Sequence, residues 1–366
     1  MKISAVISPH GFGHASRAVA VLQMLHRTVP DCQFDVITSV PKWFFEDSLK
    51  VEEFDYLPFE TDVGVVQISP LVEDLPGTVD RLKSFLPLTN EKVFYLAKLL
   101  KERKSDLVLC DISPLGVAAA KLANIPSVLE ENFTWDWIYE GYLEMEPRLG
   151  DFIPPLREAF AMADYHIQTD PVCEYKSSDL VTRPVSRLPR MPRDELRQTL
   201  KVSPNQPLVL ITMGGIPHLL NSLQPLQSFS EVVFIIPGAS EQFERRGNLI
   251  LLPHHHSFYH PDLVNASDAV VGKLGYSTIA EAYHSGVPYL YIPRNHFRET
   301  TPLAAFVERE LEGVRIEEQD FIHGRWLDWL PSVLSLPKKQ KETINGSQQV
   351  AQFIAEKLGL EISRAQ

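Results

Sequence analysis

The sequence predicts an α/β protein built from two doubly wound domains that face each other across a cleft. Short β-type runs alternate with longer helical patterns, a proline- and arginine-rich segment interrupts the alternation midway, and the alternation then restarts. The 366 residues suit two domains of roughly 150 residues each. A hydrophobic content of 44% against 22% charged residues is enough to bury two cores.

The elements follow in order. Ile3–Ser8 reads as a strand, Ala15–Arg27 as a helix and Gln33–Ser39 as a second strand. Val79–Arg103 has helical spacing throughout. Asp106–Asp111 is a strand, Pro114–Ala123 a helix, and Ser127–Glu130 and Tyr165–Thr169 are further strands. Their nearly continuous apolar runs suit parallel strands buried on both faces. These elements assign residues 1–182 to the N-terminal domain. Residues 183–193 hold three prolines and four arginines in eleven positions, a density that forbids a helix or a central strand. They read as a semi-rigid interdomain linker, with a surface loop inside one domain as the alternative. Pro207–Met213, Glu231–Ile236, Asn248–Leu252, Ala269–Gly272 and Tyr289–Ile292 are the strands of a second domain over 194–336. Residues 337–366 form a C-terminal segment with one or two amphipathic helices over Pro337–Leu360, free to pack back on the N-terminal domain.

Charge and composition exclude several function classes. Lys and Arg number 35 against 47 Asp and Glu, a net charge of −12 with no basic run, which disfavours nucleic acid as a partner. Three scattered cysteines fit neither a disulfide framework nor a four-ligand zinc site and suit a reducing cytoplasm. The apolar start is too short for a signal sequence, and no apolar stretch reaches eighteen residues. The expected location is cytoplasmic, with peripheral association at a membrane surface left open and no integral membrane segment.

Three glycine turns carry the chemistry. Pro9-His10-Gly11-Phe12-Gly13-His14-Ala15-Ser16-Arg17 follows the first strand, where glycines let the backbone approach a ligand and the next helix aims its N–H groups at it. As a dinucleotide fingerprint it fails: Ser16 takes the third glycine position, and the second strand ends in Thr38-Ser39 rather than an acidic residue. His14, in the first helical turn, is placed to take a proton from a substrate hydroxyl. Asp111 ends a strand on the same sheet edge and can orient that imidazole, or cap the next helix. In the second domain, Gly272-Lys273-Leu274-Gly275-Tyr276-Ser277-Thr278 joins a strand to a helix, so hydroxyls, free N–H groups and a helix dipole converge there with Lys273 as a point charge. Glu281, one turn on, can accept hydrogen bonds from a ribose; a capping box with structural glycines is the plainer alternative. The third turn, Met213-Gly214-Gly215-Ile216-Pro217-His218, can close over a phosphate or be an ordinary tight turn.

The Gly11–Arg17 turn, Asn132-Phe133-Thr134-Trp135-Asp136-Trp137-Ile138-Tyr139 and the Gly272–Thr278 run together give a resemblance. Over most of residues 1–320 the chain resembles GT-B glycosyltransferases of the MurG-like and UDP-glycosyltransferase kind, with two Rossmann-like domains. More closely it is similar to the glycosyltransferase-like N-terminal half of plant L-arabinokinase. No kinase phosphate loop follows Leu360, so arabinose phosphorylation is not expected. The resemblance implies an inverting, metal-independent transfer from a UDP-sugar to a hydroxyl acceptor, with no cofactor because the nucleotide-sugar is a substrate. Gly275, Ser277 and Thr278 would meet the diphosphate, joined by Gly214 and Gly215. Lys273 stands where related enzymes carry His or Arg. Glu281 would meet the ribose, and the Leu252–His255 segment, with Pro253 and His254, the base. Glu299 stands near where related enzymes place an acidic-Gln pair on the donor sugar, and the absent Gln leaves that sugar open. His14 would match the catalytic base and Asp111 its partner, with Gly11, Phe12, Gly13, Glu131 and Trp135 on the acceptor side.

Other features admit plainer readings. His254, His255, His256 and His260 read as loop histidines rather than metal ligands, because three adjacent side chains cannot point at one ion. Trp135, Trp137, Tyr139 and Tyr142 form either a sugar-stacking wall or a core-facing helix side, the latter favoured by their spacing. Glu130 and Glu131 follow a strand end at the cleft edge and can bind an acceptor, with two adjacent carboxylates on a solvated loop as the plainer reading. A hydrolase or epimerase of the same fold and a non-catalytic nucleotide-sugar-binding module are the rival functions. The acceptor and the oligomeric state are not encoded legibly.

Overall fold

The computed structural model describes residues 1–49, 54–69, 71–88, 91–214, 223–336, 338 and 343–360. In chain order the first lobe contains β1 (Lys2–Ile7), β2 (Gln33–Thr38), β3 (Phe54–Pro58), β4 (Gln67–Ser69), β5 (Val72–Glu73), β6 (Leu107–Asp111), β7 (Ser127–Glu131), β8 (Tyr165–Thr169) and β9 (Leu180–Thr182). Seven of these form one parallel sheet in the order β3-β2-β1-β6-β7-β8-β9, while β4 and β5 make a separate antiparallel ribbon. The second lobe contains β10 (Leu208–Thr212), β11 (Val233–Pro237), β12 (Glu244–Arg246), β13 (Leu249–Leu252), β14 (Ala269–Lys273), β15 (Tyr289–Ile292) and β16 (Val314–Arg315). Its sheet runs β12-β13-β11-β10-β14-β15-β16, parallel except for β12 against β13.

Both sheets reverse direction of growth at one place. β1 lies between β2 and β6, and β10 lies between β11 and β14. In such sheets the crevice beyond the strand carboxyl ends at that point is the natural ligand site. The motif residues His14 and Asp111 belong to the β1/β6 reversal, and Lys273 to the β10/β14 reversal. Each sheet is buried between two apolar layers, with residues such as Val6 and Val108 on one face of the first and Ala5 and Leu109 on the other. The second sheet repeats the arrangement, with Leu210 and Ile235 on one face and Val209 and Phe234 on the other.

The structure adds elements that hydrophobic runs do not signal. β3, β9, β12 and β16 are edge strands or next to the edge, and β12 is Glu-Arg-Arg, so pairing rather than burial defines them. The helical stretch over Val79–Arg103 is two helices, Leu75–Phe85 and Glu91–Glu102, because Leu86 turns extended just before Pro87. Segment 183–193 is not a free spacer. Val185, Ser186 and Arg187 are buried, the Val185 N–H donates to the Tyr276 hydroxyl at 3.0 Å, and a helix already begins at Arg193. Farther on, Asn345 caps helix Gly346–Lys357 and donates to the Ser186 carbonyl at 3.0 Å. That helix packs against helix Phe12–Thr28 of the first lobe. Among the described residues no helix is long and apolar enough to cross a membrane.

Candidate active site

The site begins where β1 gives way to helix Phe12–Thr28. Gly11 and Gly13 carry the chain around the end of the strand, and the helix starts with no side-chain cap. Its first turn buries His14 and Arg17 on the side facing β6. His14 Nδ1 lies 3.0 Å from Asp111 Oδ1, so a proton on Nδ1 is donated to the carboxylate and Nε2 is left as the basic nitrogen. Arg17 grips the same carboxylate from Nε and Nη2, both at 2.8 Å. Burial raises the Asp111 carboxyl, but the Arg17 charge and the bonds from His14 and Arg17 outweigh it and hold the group below the usual carboxylate range. Arg17 continues through Nη1 to Asn132 Oδ1 at 2.6 Å, and the Asn132 amide reaches across the cleft to Glu299 Oε1 at 2.9 Å. Arg17 and Asn132 had no assigned role in the sequence. Both stand inside the motifs that carry the resemblance, and that was the available signal.

The opposite wall is the end of β14. Gly272 is required there: a Cβ would sit 1.7 Å from the Thr212 carbonyl oxygen on β10. Lys273 and Leu274 then lead to Gly275, and helix Tyr276–Ser285 begins with no side-chain cap, leaving its first N–H groups open. Gly214, at φ +70°, comes so close that a Cβ would meet Lys273 Cε at 3.2 Å. Gly215 lies outside the described residues, as do Ile216, Pro217 and His218. Lys273 is partly buried, and its ammonium has no ion pair or hydrogen bond among the described residues. Burial and the nearby Arg294 charge pull its ammonium down to about 7, against Glu299 and Glu73. Arg294, which follows β15, is 5% exposed. Its Nε and Nη1 have no hydrogen-bond partner among the described residues, and Nη2 is 3.5 Å from Glu299 Oε2.

Two connected cavities run along the cleft. A chamber of about 430 Å³ is walled by Phe12, Trp43 and Phe44 of the first lobe and by His254, Phe258 and Tyr259 of the second. Trp43 stacks on His255 with ring centroids 4.3 Å apart. A narrower pocket of about 60 Å³ holds His14, Gly11 and Gly13 on one side and Lys273, Gly275 and Arg294 on the other. Phe12, Gly214, Ser277 and Thr278 line both and mark the junction. A Cβ on Gly13 would stand 3.9 Å from Ser277 Oγ, which measures how near the two turns come. His14, Lys273, Ser277, Thr278 and Glu299 therefore share one pocket.

Other sequence-predicted residues lie elsewhere. Glu281 lines neither cavity: it is 2% exposed, Oε1 accepts from Arg187 Nε and Nη2 at 3.0 and 2.9 Å, and Oε2 is 2.7 Å from His260 Nδ1. It stands behind the chamber wall, where it fixes His260 and Arg187, which do line the chamber. Pro253 follows β13 outside both linings. Trp135 is buried and donates from Nε1 to Asp62 at 3.0 Å, and Trp137, Tyr139 and Tyr142 are buried with it, so this helix side faces the core. Glu130 and Glu131 are buried, not on a solvated loop. Glu131 accepts from Gln168 at 2.8 Å and pairs with His166, and burial pushes the unpartnered Glu130 carboxyl up to about 8. Of the loop histidines, His255 bonds Asp47 at 2.7 Å while His260 bonds Glu281, so their rings serve separate partners.

No family model matches the chain. It is 29% identical over 360 residues to L-arabinokinase of Arabidopsis thaliana, an alignment covering 96% of this chain and 34% of the relative; the chain spans about a third of that protein's length. Arabidopsis thaliana UGT89C1 complexed with UDP superposes with a TM-score of 0.64 at 16% identity, covering 98% of this chain and 100% of that one. Acinetobacter baumannii MurG superposes with a TM-score of 0.57 at 17% identity, covering 97% and 99%. The two facing sheets, with their reversal points opposed across the cleft, are the GT-B fold of these glycosyltransferases.

Proposed function

We propose that the protein transfers a sugar from a nucleoside diphosphate sugar, a UDP-sugar in the first instance, to a hydroxyl acceptor, with inversion and without a metal ion. One observation carries this reading: an imidazole oriented by Asp111 opens into the same pocket as a partnerless lysine and an uncapped helix start on the other lobe. A base on one wall and an anion-holding surface on the other suit a single displacement at a carbon held between them. The nucleoside occupies the larger chamber, its base against Trp43, His254 and Phe258. The diphosphate spans the Gly214/Ser277/Thr278 junction, where the helix N–H groups and Lys273 meet it.

In the reaction His14 Nε2 takes the acceptor hydroxyl proton while that oxygen bonds the anomeric carbon and the bond from that carbon to the diphosphate breaks. The electron pair leaves with the nucleoside diphosphate. Lys273 and the helix N-terminus balance its charge, the service a divalent cation supplies in other designs. UDP bound to a structure of the same fold supports uridine as the base to test first. The test is a panel of UDP-sugars incubated with and without hydroxyl acceptors, with products read by NMR. Glycoside formed alongside UDP supports transfer. Free sugar in place of glycoside makes the protein a hydrolase, a rearranged donor makes it an epimerase, and tight binding with no turnover makes it a binding module.

A further inference from the structure

The narrow pocket has a polarity that a neutral sugar does not explain. Beyond the His14 Nε2 kept for the acceptor, the side-chain groups of its lining without a hydrogen-bond partner among the described residues include four donors: Arg294 Nε and Nη1, the side-chain amide nitrogen of Gln67, and the Lys273 ammonium. Its one carboxylate, Glu299, already accepts from Asn132 and lies beside Arg294. A sugar hydroxyl both donates and accepts, whereas a carboxylate only accepts. A buried guanidinium with unsatisfied N–H groups is costly unless an anion meets it, and Glu299 and Glu73, the carboxylates that favour the Arg294 charge, leave its Nε and Nη1 without an acceptor among the described residues.

Position separates Arg294 from the residues at the junction of the two cavities. Gly214, Ser277 and Thr278 line both cavities, but Arg294 lines only the narrow one. Its guanidinium lies 3.4 Å over the Phe297 ring. Phe297 belongs to the first lobe's core, stacked near His10 and packed edge-on to Phe133, which in turn meets His14. Arg294 therefore stands past the junction, on the side of the base, where the transferred sugar sits.

Taking the donor reading above as its footing, we infer that Arg294 is a specificity residue for an acidic donor sugar: the substrate class is a nucleoside diphosphate uronic acid, its carboxylate held by Arg294 and Gln67. Calorimetry with UDP-glucuronate, UDP-galacturonate, UDP-glucose and UDP on the full chain tests it. The wild type should bind one of the uronates about tenfold or more tighter than UDP-glucose. Arg294→Met should erase that margin while binding UDP itself within about threefold of wild type, a control for folding, and Arg294→Lys should keep part of the margin. UDP binding with no uronate preference, or a preference that survives in Arg294→Met, overturns the inference and leaves the transferase reading standing. Binding of neither UDP nor any of the donors overturns both.

Discussion

Binding of a nucleotide-sugar should draw a proton onto Lys273. The ammonium sits at about 7 because burial and Arg294 oppose its charge. A diphosphate reverses the balance, since an adjacent anion favours the charged form. The charged amine is the binding form, so affinity is full below pH 7 and falls as pH rises through it. At pH 8 roughly nine in ten unliganded sites are neutral, so binding should take up about 0.9 proton and affinity should be about tenfold below its acid plateau. The loss continues by about tenfold per pH unit until the pH reaches the raised value of the bound complex. Calorimetry in buffers of differing ionisation enthalpy counts the protons directly, and a UDP-sugar, unlike UDP, has no phosphate titrating in this range. Lys273→Met should bind more weakly at pH 6.5, take up no proton at pH 8 and lose the pH slope. Wild-type binding at pH 8 without proton uptake would refute the placement of Lys273 on the diphosphate.

Three further outcomes follow from the geometry. His14→Ala should lower turnover by about a hundredfold or more while nucleotide affinity stays near wild type, because a positioned base contributes that much to rate and little to donor binding; near-normal turnover in a steady-state assay removes His14 as the base. Glu281→Ala strips Arg187 of its carboxylate inside the fold and should cost about 3–5 kcal/mol; an unchanged denaturant midpoint would show that the pair does not hold the linker to helix Tyr276–Ser285. Gly272→Ala drives a Cβ into the Thr212 carbonyl and should cost about 1–3 kcal/mol through displaced strands, with nucleotide affinity falling as Lys273 moves; a variant with wild-type melting and affinity would refute the close-approach account.

How far the site was legible depends on whether its signals are local. β1, β10 and β14 are largely apolar runs leading into glycine turns and β6 is one closed by Asp111 ahead of Ser113-Pro114, so the strand ends and the elements that meet at the cleft can be read directly. His14 and Asp111 fall together because β1 and β6 are adjacent parallel strands: Asp111 ends β6, and His14 lies in the first turn of the helix that follows β1. Arg17–Asp111, Asn132–Glu299 and Arg187–Glu281 join residues 94, 167 and 94 positions apart, and nothing in the sequence around either member announces its partner. Glu281 shows the limit. Its place one turn after Ser277 suits a ribose contact, but the linker, whose path the sequence does not state, brings Arg187 into the fold to take that carboxylate. Glu130 fails for the opposite reason: two adjacent carboxylates suggest solvent, yet they continue β7 into the first lobe's interior, and one of them stays unpartnered.

The charge on the base side decides where the catalytic effort must lie. Asp111 bonds His14, but Arg17 holds the same carboxylate through two bonds, so the negative charge that would steady an imidazolium is already matched by a guanidinium. The carboxylate then chiefly fixes the ring's tautomer and direction and offers little net field for drawing a proton from the acceptor. Across the pocket the imbalance runs the other way: Lys273 and an open helix N-terminus face the diphosphate position, and of the two nearby carboxylates Glu299 is already engaged by Asn132 while Glu73 lies outside the pocket lining. On the proposed transfer, a site with a neutralised base pair and a surplus of donors opposite it would lower the barrier mainly by stabilising the departing diphosphate. In that arrangement the acceptor oxygen is deprotonated late, after the bond to the leaving group has lengthened, and loss of Lys273 should cost turnover at least as much as loss of His14.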